Sequence, residues 1–260
     1  MLQHPRVGLS AFALTAATLF LSATLALPAA ASAQQRGGAA PAERARPSSS
    51  DPAAVRVPVD TAVTREGQVT ILGQRVPYRV TTGYQPVWDE DGAPVASLFY
   101  VYYERSDVRD RTTRPLVISF NGGPGSASVW MHIGYTSPKL LAMDAEGFPT
   151  QPYGVRDNPH SILDVADIVY VDPVNTGFSR ILNDADRGQF FGVNEDVGYL
   201  ARWIDAWVSR RDRWPSPKFL IGESYGTTRV SGLAGRLQNS HWMYLNGVVL
   251  VSPTGLGVNR

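Results

Sequence analysis

Residues 218–227 read KFLIGESYGT, and this stretch decides the fold. Its apolar run, residues 219–221, predicts a buried strand, a Gly-x-Ser-x-Gly sequence follows, and an amphipathic helix is predicted after it. Such an elbow lifts a serine above a sheet edge, and it needs glycines because side chains would strike the neighbouring strand and helix. We therefore expect Ser224 to be a nucleophile; the alternative is a structural turn with an unused serine.

A second glycine-rich segment, residues 121–125 (NGGPG), follows the apolar run 116–120. A serine nucleophile needs N–H donors aimed at the developing oxyanion. In α/β hydrolases one donor is the residue after the nucleophile, here Tyr225, and the other lies in a glycine-rich loop. Gly122 and Gly123 suit that role, because glycine lets backbone N–H groups face a ligand unobstructed. A phosphate-binding loop is the alternative, but the Gly-Lys-Ser/Thr ending and the Gly-x-Gly-x-x-Gly order are absent.

Two polar residues adjoin these motifs, Glu223 before the serine and Asn121 at the start of the glycine loop. A protonated carboxyl group and an amide can both donate hydrogen bonds to a carboxylate. The pair therefore suggests an enzyme for substrates that end in a free carboxylate. A glutamate in an ordinary surface salt bridge is the alternative, and the residues alone leave both open.

The rest of the pattern predicts an α/β fold. Alternating residues over 69–80, with a turn at Gly73, predict an antiparallel hairpin, and residues 96–103 predict a further strand. Short apolar runs predict strands buried on both faces of a parallel sheet. These runs are residues 116–120, 168–171, 219–221 and 248–251. The expected fold is a mostly parallel sheet with an antiparallel N-terminal edge.

Two helices are predicted between and after these strands. Asn194 is a candidate cap for the first helix, with Glu195 and Asp196 in its first turn. Apolar residues then recur at helical spacing in both segments. They are Val197, Leu200, Ala201, Ile204 and Val208 in the first helix, and Val230, Leu233, Ala234 and Leu237 in the second.

Residues 1–33 read as a signal peptide. Arg6 precedes an apolar run over residues 7–27, Pro28 breaks it, and residues 31–33 (ASA) form a small-x-small cleavage pattern. A membrane anchor is the alternative, since about 20 apolar residues span a bilayer. We expect export to the periplasm or the extracellular space, without membrane attachment after cleavage. Residues 34–58 predict a disordered linker, which leaves residues 59–260 for the domain.

Composition narrows the classes of function. A formal net charge of +1 gives no electrostatic reason to expect nucleic acid as a partner. The sequence has no cysteine, which excludes disulfides, thiol catalysis and cysteine-ligated metals. We expect neither a metal nor a cofactor.

Together the motifs resemble the serine carboxypeptidases, a branch of the α/β hydrolases. Residues 121–126 are similar to that family's Asn-Gly-Gly-Pro-Gly signature, and residues 222–225 to its Gly-Glu-Ser-Tyr elbow. Residues 158–161 and 171–179 are similar to its Asn-Pro and Asp-x-Pro-Val-x-x-Gly-Phe-Ser segments. The resemblance covers roughly residues 70–255. It implies release of the C-terminal amino acid from a peptide with a free carboxylate.

The resemblance also implies residue roles. Ser224 is the expected nucleophile, and the N–H groups of Gly123 and Tyr225 are the expected oxyanion hole. The expected substrate-binding residues are Asn121, Gly122, Glu223 and His132. His132 is aligned with a second carboxylate-binding glutamate of the family, and below its pKa it could bind a carboxylate as a cation. A hydrogen-bonded packing residue is the alternative. Two further departures are Gly226-Thr227 in place of Ala-Gly, and the absence of the family's disulfides.

A serine nucleophile also needs a histidine base and an orienting acid, which follow it along the chain in α/β hydrolases. No Asp or Glu follows Ser224, and we expect the one later histidine, His241, to be structural. The sequence thus predicts a domain truncated at its C-terminus, with negligible turnover by this chain alone. The alternatives are an esterase, aminopeptidase or acyltransferase on the same scaffold, or a non-catalytic binding module.

Overall fold

The structure is a computed structural model that describes residues 57–253. The predicted signal peptide lies outside the described residues, as does the predicted linker except for Val57 and Pro58. All described residues belong to one compact unit, Ala53–Arg260.

Ten strands and three α-helices are described. The strands are β1 (Thr61–Ile71), β2 (Gln74–Trp88), β3 (Pro94–Arg105), β4 (Leu116–Phe120), β5 (Lys139–Leu141), β6 (Val155–Asp157), β7 (Asp167–Val171), β8 (Arg180–Ile181), β9 (Lys218–Glu223) and β10 (Gly247–Val251). The helices are α1 (Val129–Met131), α2 (Val193–Arg210) and α3 (Tyr225–His241), with a π-helix over His132–Thr136 and 3₁₀ turns over Ile162–Asp164 and Arg187–Gln189.

The N-terminal edge of the main sheet is antiparallel, as predicted. β1 and β2 form a hairpin whose turn residues, Leu72 and Gly73, have φ values of 47° and 82°. β2 pairs with β3, and β3 pairs antiparallel with β7. The hairpin is thereby joined to the strands that carry the motifs.

The four apolar runs form the parallel part of the sheet, in the order β7-β4-β9-β10. Every residue of β4 and β7 is buried, which explains their unbroken apolar sequences, because both faces of these strands are covered. The same prediction is wrong for β10, which lies at the end of the strand order and whose Val248, Val249 and Leu250 are exposed. The α/β prediction is confirmed, with a mixed sheet whose antiparallel strands are the longest. The carboxyl ends of β4, β7 and β9 lie at one edge, so the three motifs that follow them meet there.

Alternate residues of the strands face two different apolar clusters, as the pleat of a sheet requires. Tyr100 and Tyr102 of β3 belong to the cluster that α2 and α3 cover, whereas Tyr103 belongs to the other cluster. Trp203 and Trp207 of α2 are buried and lie edge-on to these tyrosines, with Trp207 and Tyr102 ring centroids 5.0 Å apart. This packing fixes α2 on the sheet.

The cap predicted for α2 is wrong by two residues. Asn194 lies inside the first turn, and Gly192 is the N-cap residue, with φ of 146°. The Gly192 carbonyl accepts the Asp196 N–H at 2.9 Å, so the helix starts where the backbone conformation favours glycine. Among residues 57–253, no helix combines the length and apolar character that crossing a membrane would require.

Candidate active site

Ser224 occupies the turn between β9 and α3. Its φ of 56° and ψ of −125° form a conformation that non-glycine residues rarely adopt, at a cost of about 1–3 kcal/mol. Neighbouring groups hold the turn: the Ser224 N–H donates to the Val251 carbonyl at 3.0 Å, and the Ser224 carbonyl accepts the Thr227 N–H at 2.9 Å. The strained residue is the serine that the sequence singles out.

Close backbone approach explains the glycines on either side of Ser224. A Cβ on Gly222 would lie 2.1 Å from the Gly226 carbonyl oxygen, closer than real Cβ contacts come. A Cβ on Gly226 would lie 2.9 Å from the Asn121 carbonyl oxygen. The second contact shows that the elbow and the glycine loop touch, at a position where the resemblance leads one to expect alanine.

The glycine loop lies directly against the elbow. A Cβ on Gly122 would lie 2.7 Å from the Tyr225 backbone nitrogen and 2.8 Å from the Glu223 carbonyl oxygen. Gly123 has φ of +108°, a conformation that favours glycine, and the Gly122 carbonyl accepts the Ser126 N–H at 3.1 Å. The loop backbone and the Tyr225 N–H therefore meet beside Ser224.

Asn121 and Glu223 are hydrogen-bonded to each other. Asn121 Nδ2 donates to Glu223 Oε2 at 3.2 Å, and Asn121 Oδ1 accepts the Met131 N–H at 2.9 Å. Asn121 is buried, whereas Glu223 is partly exposed. An amide and a carboxyl group thus lie side by side, with Glu223 immediately before Ser224.

Arg229 of α3 is a buried residue that the sequence analysis missed. Its Nη1 donates to the Asn121 carbonyl at 2.9 Å, its Nη2 to the Pro124 carbonyl at 3.2 Å, and its Nε to Asp196 Oδ2 at 2.7 Å. The guanidinium carbon also lies 5.3 Å from the centroid of the Tyr225 ring. One side chain therefore contacts both ends of the 121–124 segment and the first residue after Ser224.

Helical spacing could have revealed this residue. Arg229 lies four residues before Leu233, in the apolar stripe of α3, and Asp196 lies four residues before Leu200, in the apolar stripe of α2. Opposite charges within two apolar stripes indicate a buried ion pair, because an unpaired buried charge is costly.

The segment after β7 supports the loop from the other side. Asp172 accepts the Ser128 N–H at 2.9 Å and the Phe178 N–H at 3.3 Å. Burial raises the pKa of Asp172 above its ordinary value. Gly177 is needed here, since its Cβ would lie 2.0 Å from Asp172 Oδ2. The third motif thus holds the chain that follows the glycine loop.

The comparisons with known proteins agree with the motifs. A family model described as serine carboxypeptidase matches residues 71–254. This chain belongs to the serine carboxypeptidase family. The resemblance of the four sequence segments is confirmed by that match, which spans all of them.

The matched segments make up a larger share of this chain than of its individual relatives. Serine carboxypeptidase-like 16 of Arabidopsis thaliana is 29% identical over 190 residues, which are 68% of this chain and 41% of the relative. Serine carboxypeptidase S10 family member 1 of Dictyostelium discoideum is 30% identical over 175 residues, 64% of this chain and 36% of the relative. The chain therefore spans about two fifths of these relatives' length.

A solved structure supports the fold. A prohormone-processing carboxypeptidase from Saccharomyces cerevisiae matches with a TM-score of 0.53 at 19% identity, over 66% of this chain and 38% of that one. At this identity the likeness bears on the fold alone, and it agrees with the α/β-hydrolase prediction.

His132, a candidate carboxylate ligand in this family member, lies in an aromatic environment. Its Nε2 is 2.9 Å from the Tyr103 hydroxyl, and its ring stacks on Tyr170 with centroids 4.6 Å apart. Burial lowers its pKa to about 4, so the ring is neutral near pH 7. It shares no described hydrogen bond with Asn121 or Glu223. These contacts favour the alternative of a hydrogen-bonded packing residue, since the ring becomes cationic only below a pKa of about 4.

The other described histidines are not partners of Ser224. His241 Nδ1 is 2.8 Å from Asp205 Oδ2, and it ends α3, about 25 Å along the helix from Ser224 at 1.5 Å per residue. His160 is exposed, and its N–H donates to Asn158 Oδ1 at 3.0 Å. Within residues 57–253, no histidine is hydrogen-bonded to Ser224.

A cavity of about 380 Å³ opens beside the elbow. It lies between the glycine loop, the segment after β7 and the segment before α2, and its wall is mainly apolar. Wall residues include Pro124, Val174, Phe190, Phe191 and Tyr225. Its volume suits a small apolar group, since small-molecule sites occupy about 300–1,000 Å³.

Proposed function

We propose that this protein is a serine-type carboxypeptidase that removes the last residue of a peptide. The observation that carries the proposal is the Asn121 Nδ2–Glu223 Oε2 contact of 3.2 Å, one residue before Ser224. With the carboxyl group protonated, this pair presents donors to a carboxylate. A substrate carboxylate bound there puts the adjacent, last peptide bond within reach of Ser224.

In the proposed reaction, Ser224 Oγ attacks the carbonyl carbon of that bond and gives its proton to a histidine base. The carbonyl oxygen becomes an oxyanion that accepts hydrogen bonds from the Gly123 and Tyr225 N–H groups. The C–N bond then breaks, the amino acid leaves with the transferred proton, and water hydrolyses the ester on Ser224. The contact of Gly122 with Tyr225 supports this assignment, because it brings both donors to one point.

In this proposal, the histidine base and its orienting acid correspond to residues in the part of the relatives that this chain does not span. The chain covers about two fifths of serine carboxypeptidase-like 16, and no described histidine is bonded to Ser224. His132 has no part in the proposed carboxylate site, since its ring is paired with Tyr103. We also propose that the protein is exported, as the signal-peptide pattern of residues 1–33 predicts.

Paired substrates test this function. N-blocked dipeptides that end in a free carboxylate or in an amide are given to the protein expressed from its natural gene. We expect preference for the free acid, because hydrogen bonds to a charged group contribute about 1.5–3 kcal/mol, or roughly 10–100-fold. Equal rates on the two substrates would remove the carboxypeptidase assignment and leave an esterase or amidase.

An isosteric variant sharpens the test. Asn121→Asp keeps the acceptor for the Met131 N–H but replaces the Nδ2 donor with a carboxylate that repels the substrate. It should lose the free-acid preference while its rate on the amide stays within about threefold. Asn158→Asp is the matched control, because Asn158 is also buried and its Nδ2 donates to the Tyr135 and Ser137 carbonyls, while its Oδ1 accepts the His160 backbone N–H.

A further inference from the structure

Arg229 joins the two parts of the proposed oxyanion hole. Its side chain is 1% exposed, and each guanidinium nitrogen donates a hydrogen bond. Two of the three acceptors are carbonyls of the glycine loop, and the ring of Tyr225 lies against the guanidinium. We propose that Arg229 is a positioning residue for the oxyanion donors Gly123 and Tyr225, an inference that rests on the proposed function.

The hydrogen bonds fix the peptide planes around Gly123. The Gly123 N–H shares its plane with the Gly122 carbonyl, which the Ser126 N–H holds at 3.1 Å. Arg229 binds the Asn121 carbonyl in the preceding plane and the Pro124 carbonyl beyond. Hydrogen bonds therefore hold the plane that contains the Gly123 N–H, the plane before it and the plane two further along, and together they restrict the direction of this N–H.

The planar guanidinium suits this task better than an ammonium group does. Its donors form a rigid fork, so one side chain can hold two carbonyls and a carboxylate in set directions. Lysine in the same place has a compact charge on a flexible stem and cannot reproduce that geometry. The inference therefore predicts that charge alone is insufficient.

Asp196 and Tyr199 of α2 anchor Arg229 from behind. Asp196 Oδ1 accepts the Tyr199 hydroxyl at 3.2 Å, and that hydroxyl accepts the Val174 N–H at 3.0 Å. The chain of contacts thus runs from the segment after β7, through α2 and Arg229, to the glycine loop. All three loops at the carboxyl edge of the sheet are tied to one ion pair.

A second buried arginine provides a control for stability alone. Arg213 is 0% exposed, and its Nη1 donates to Asp167 Oδ2 at 2.7 Å, the same length as the Arg229–Asp196 contact. Asp167 is the first residue of β7, so this pair lies at the opposite end of the parallel strands. Each replacement removes a cation from a buried carboxylate, so both variants should lose stability, although Asp167 keeps its ion pair with Arg114 Nε at 3.1 Å.

The experiment compares Arg229→Met, Arg229→Lys and Arg213→Met in the protein expressed from its natural gene. One readout is kcat and KM for p-nitrophenyl acetate, whose hydrolysis needs the oxyanion hole but no substrate carboxylate. The other is amide hydrogen exchange of residues 121–126, which needs no activity. Thermal unfolding establishes the folded fraction, and Arg229→Lys serves if Arg229→Met fails to fold.

For both Arg229 variants we expect kcat to fall about 10–100-fold. This loss is smaller than the roughly 10²–10³-fold loss that follows removal of an oxyanion donor itself, because the donors are displaced and not deleted. KM should stay within about threefold, and exchange in residues 121–126 should quicken. Arg213→Met should lose stability with kcat per folded molecule unchanged. Equal kcat losses for Arg229→Met and Arg213→Met, or unchanged exchange in the loop, would overturn the inference.

The proposed function fails separately. If wild-type protein hydrolyses the ester through Ser224 but treats free and amidated peptides alike, the carboxypeptidase assignment is lost and the role of Arg229 stands. If the free-acid preference holds while Arg229→Lys keeps wild-type kcat and loop exchange, the carboxypeptidase assignment stands and the role of Arg229 is lost.

Discussion

Replacing Gly122 by alanine tests whether the glycine loop and the elbow act as one site. The added Cβ would lie 2.7 Å from the Tyr225 backbone nitrogen and 2.8 Å from Ser224 Cβ. Ordinary carbon contacts are about 3.5–4.0 Å, so the loop and the elbow must separate by roughly 0.7–1.3 Å. A displacement of about 1 Å at reacting groups costs on the order of 100-fold in rate. We therefore expect kcat to fall about 100-fold.

The same overpacking lowers the free energy of unfolding by about 1–3 kcal/mol, which urea denaturation would detect. Gly125→Ala is the matched control, because its Cβ would meet no heavy atom within 4 Å and its φ is not positive. The assay is release of the C-terminal amino acid by the protein expressed from its natural gene. If Gly122→Ala and Gly125→Ala both keep kcat within about twofold of wild type, the juxtaposition is refuted.

Three further predictions concern His132, Glu223 and the isolated chain. Burial lowers the His132 pKa from 6.5 to about 4, so between these pH values the unfolded chain binds a proton that the folded chain does not. The free energy of unfolding should therefore drop by up to about 3 kcal/mol as the pH falls from 6.5 to 4. Urea titrations of His132→Gln should show a weaker dependence on pH. Glu223→Gln keeps a hydrogen-bond donor for the substrate carboxylate, whereas Glu223→Ala does not. Only the alanine variant should therefore raise KM for a free-acid dipeptide, by about 10-fold or more. Equal KM values for the two variants would exclude Glu223 from the site. The purified 260-residue chain should show negligible turnover, and peptide release lost in Ser224→Ala would contradict the assignment of the base elsewhere.

Much of the fold could be predicted because the local pattern and the tertiary environment agree. The unbroken apolar runs became β4, β7, β9 and β10, since helices or loops cover both faces of most of these strands. The cap of α2 could not be predicted from residue preference. Asn194 is a good capping residue, but the conformation of Gly192, with φ of 146°, starts the helix earlier.

The candidate site was predictable where one short segment contains the proposed nucleophile. Ser224 and its flanking glycines lie within five consecutive residues, so their pattern is visible in the sequence. Arg229 was missed because its role depends on carbonyls more than a hundred residues earlier, which only the folded sheet brings near α3. His132 was assigned by alignment, and its aromatic partner Tyr103 lies on β3, far from it in sequence.

Trapping the acyl-enzyme is the most direct test that Ser224 is the nucleophile of a carboxypeptidase. The protein expressed from its natural gene is quenched in acid during turnover of an N-blocked dipeptide, digested and analysed by mass spectrometry. We predict the mass of the blocked acyl group on the peptide that contains Ser224, with the free-acid substrate and far more weakly with its amide. An acyl group on any other residue, or equal labelling by acid and amide, would contradict the proposal.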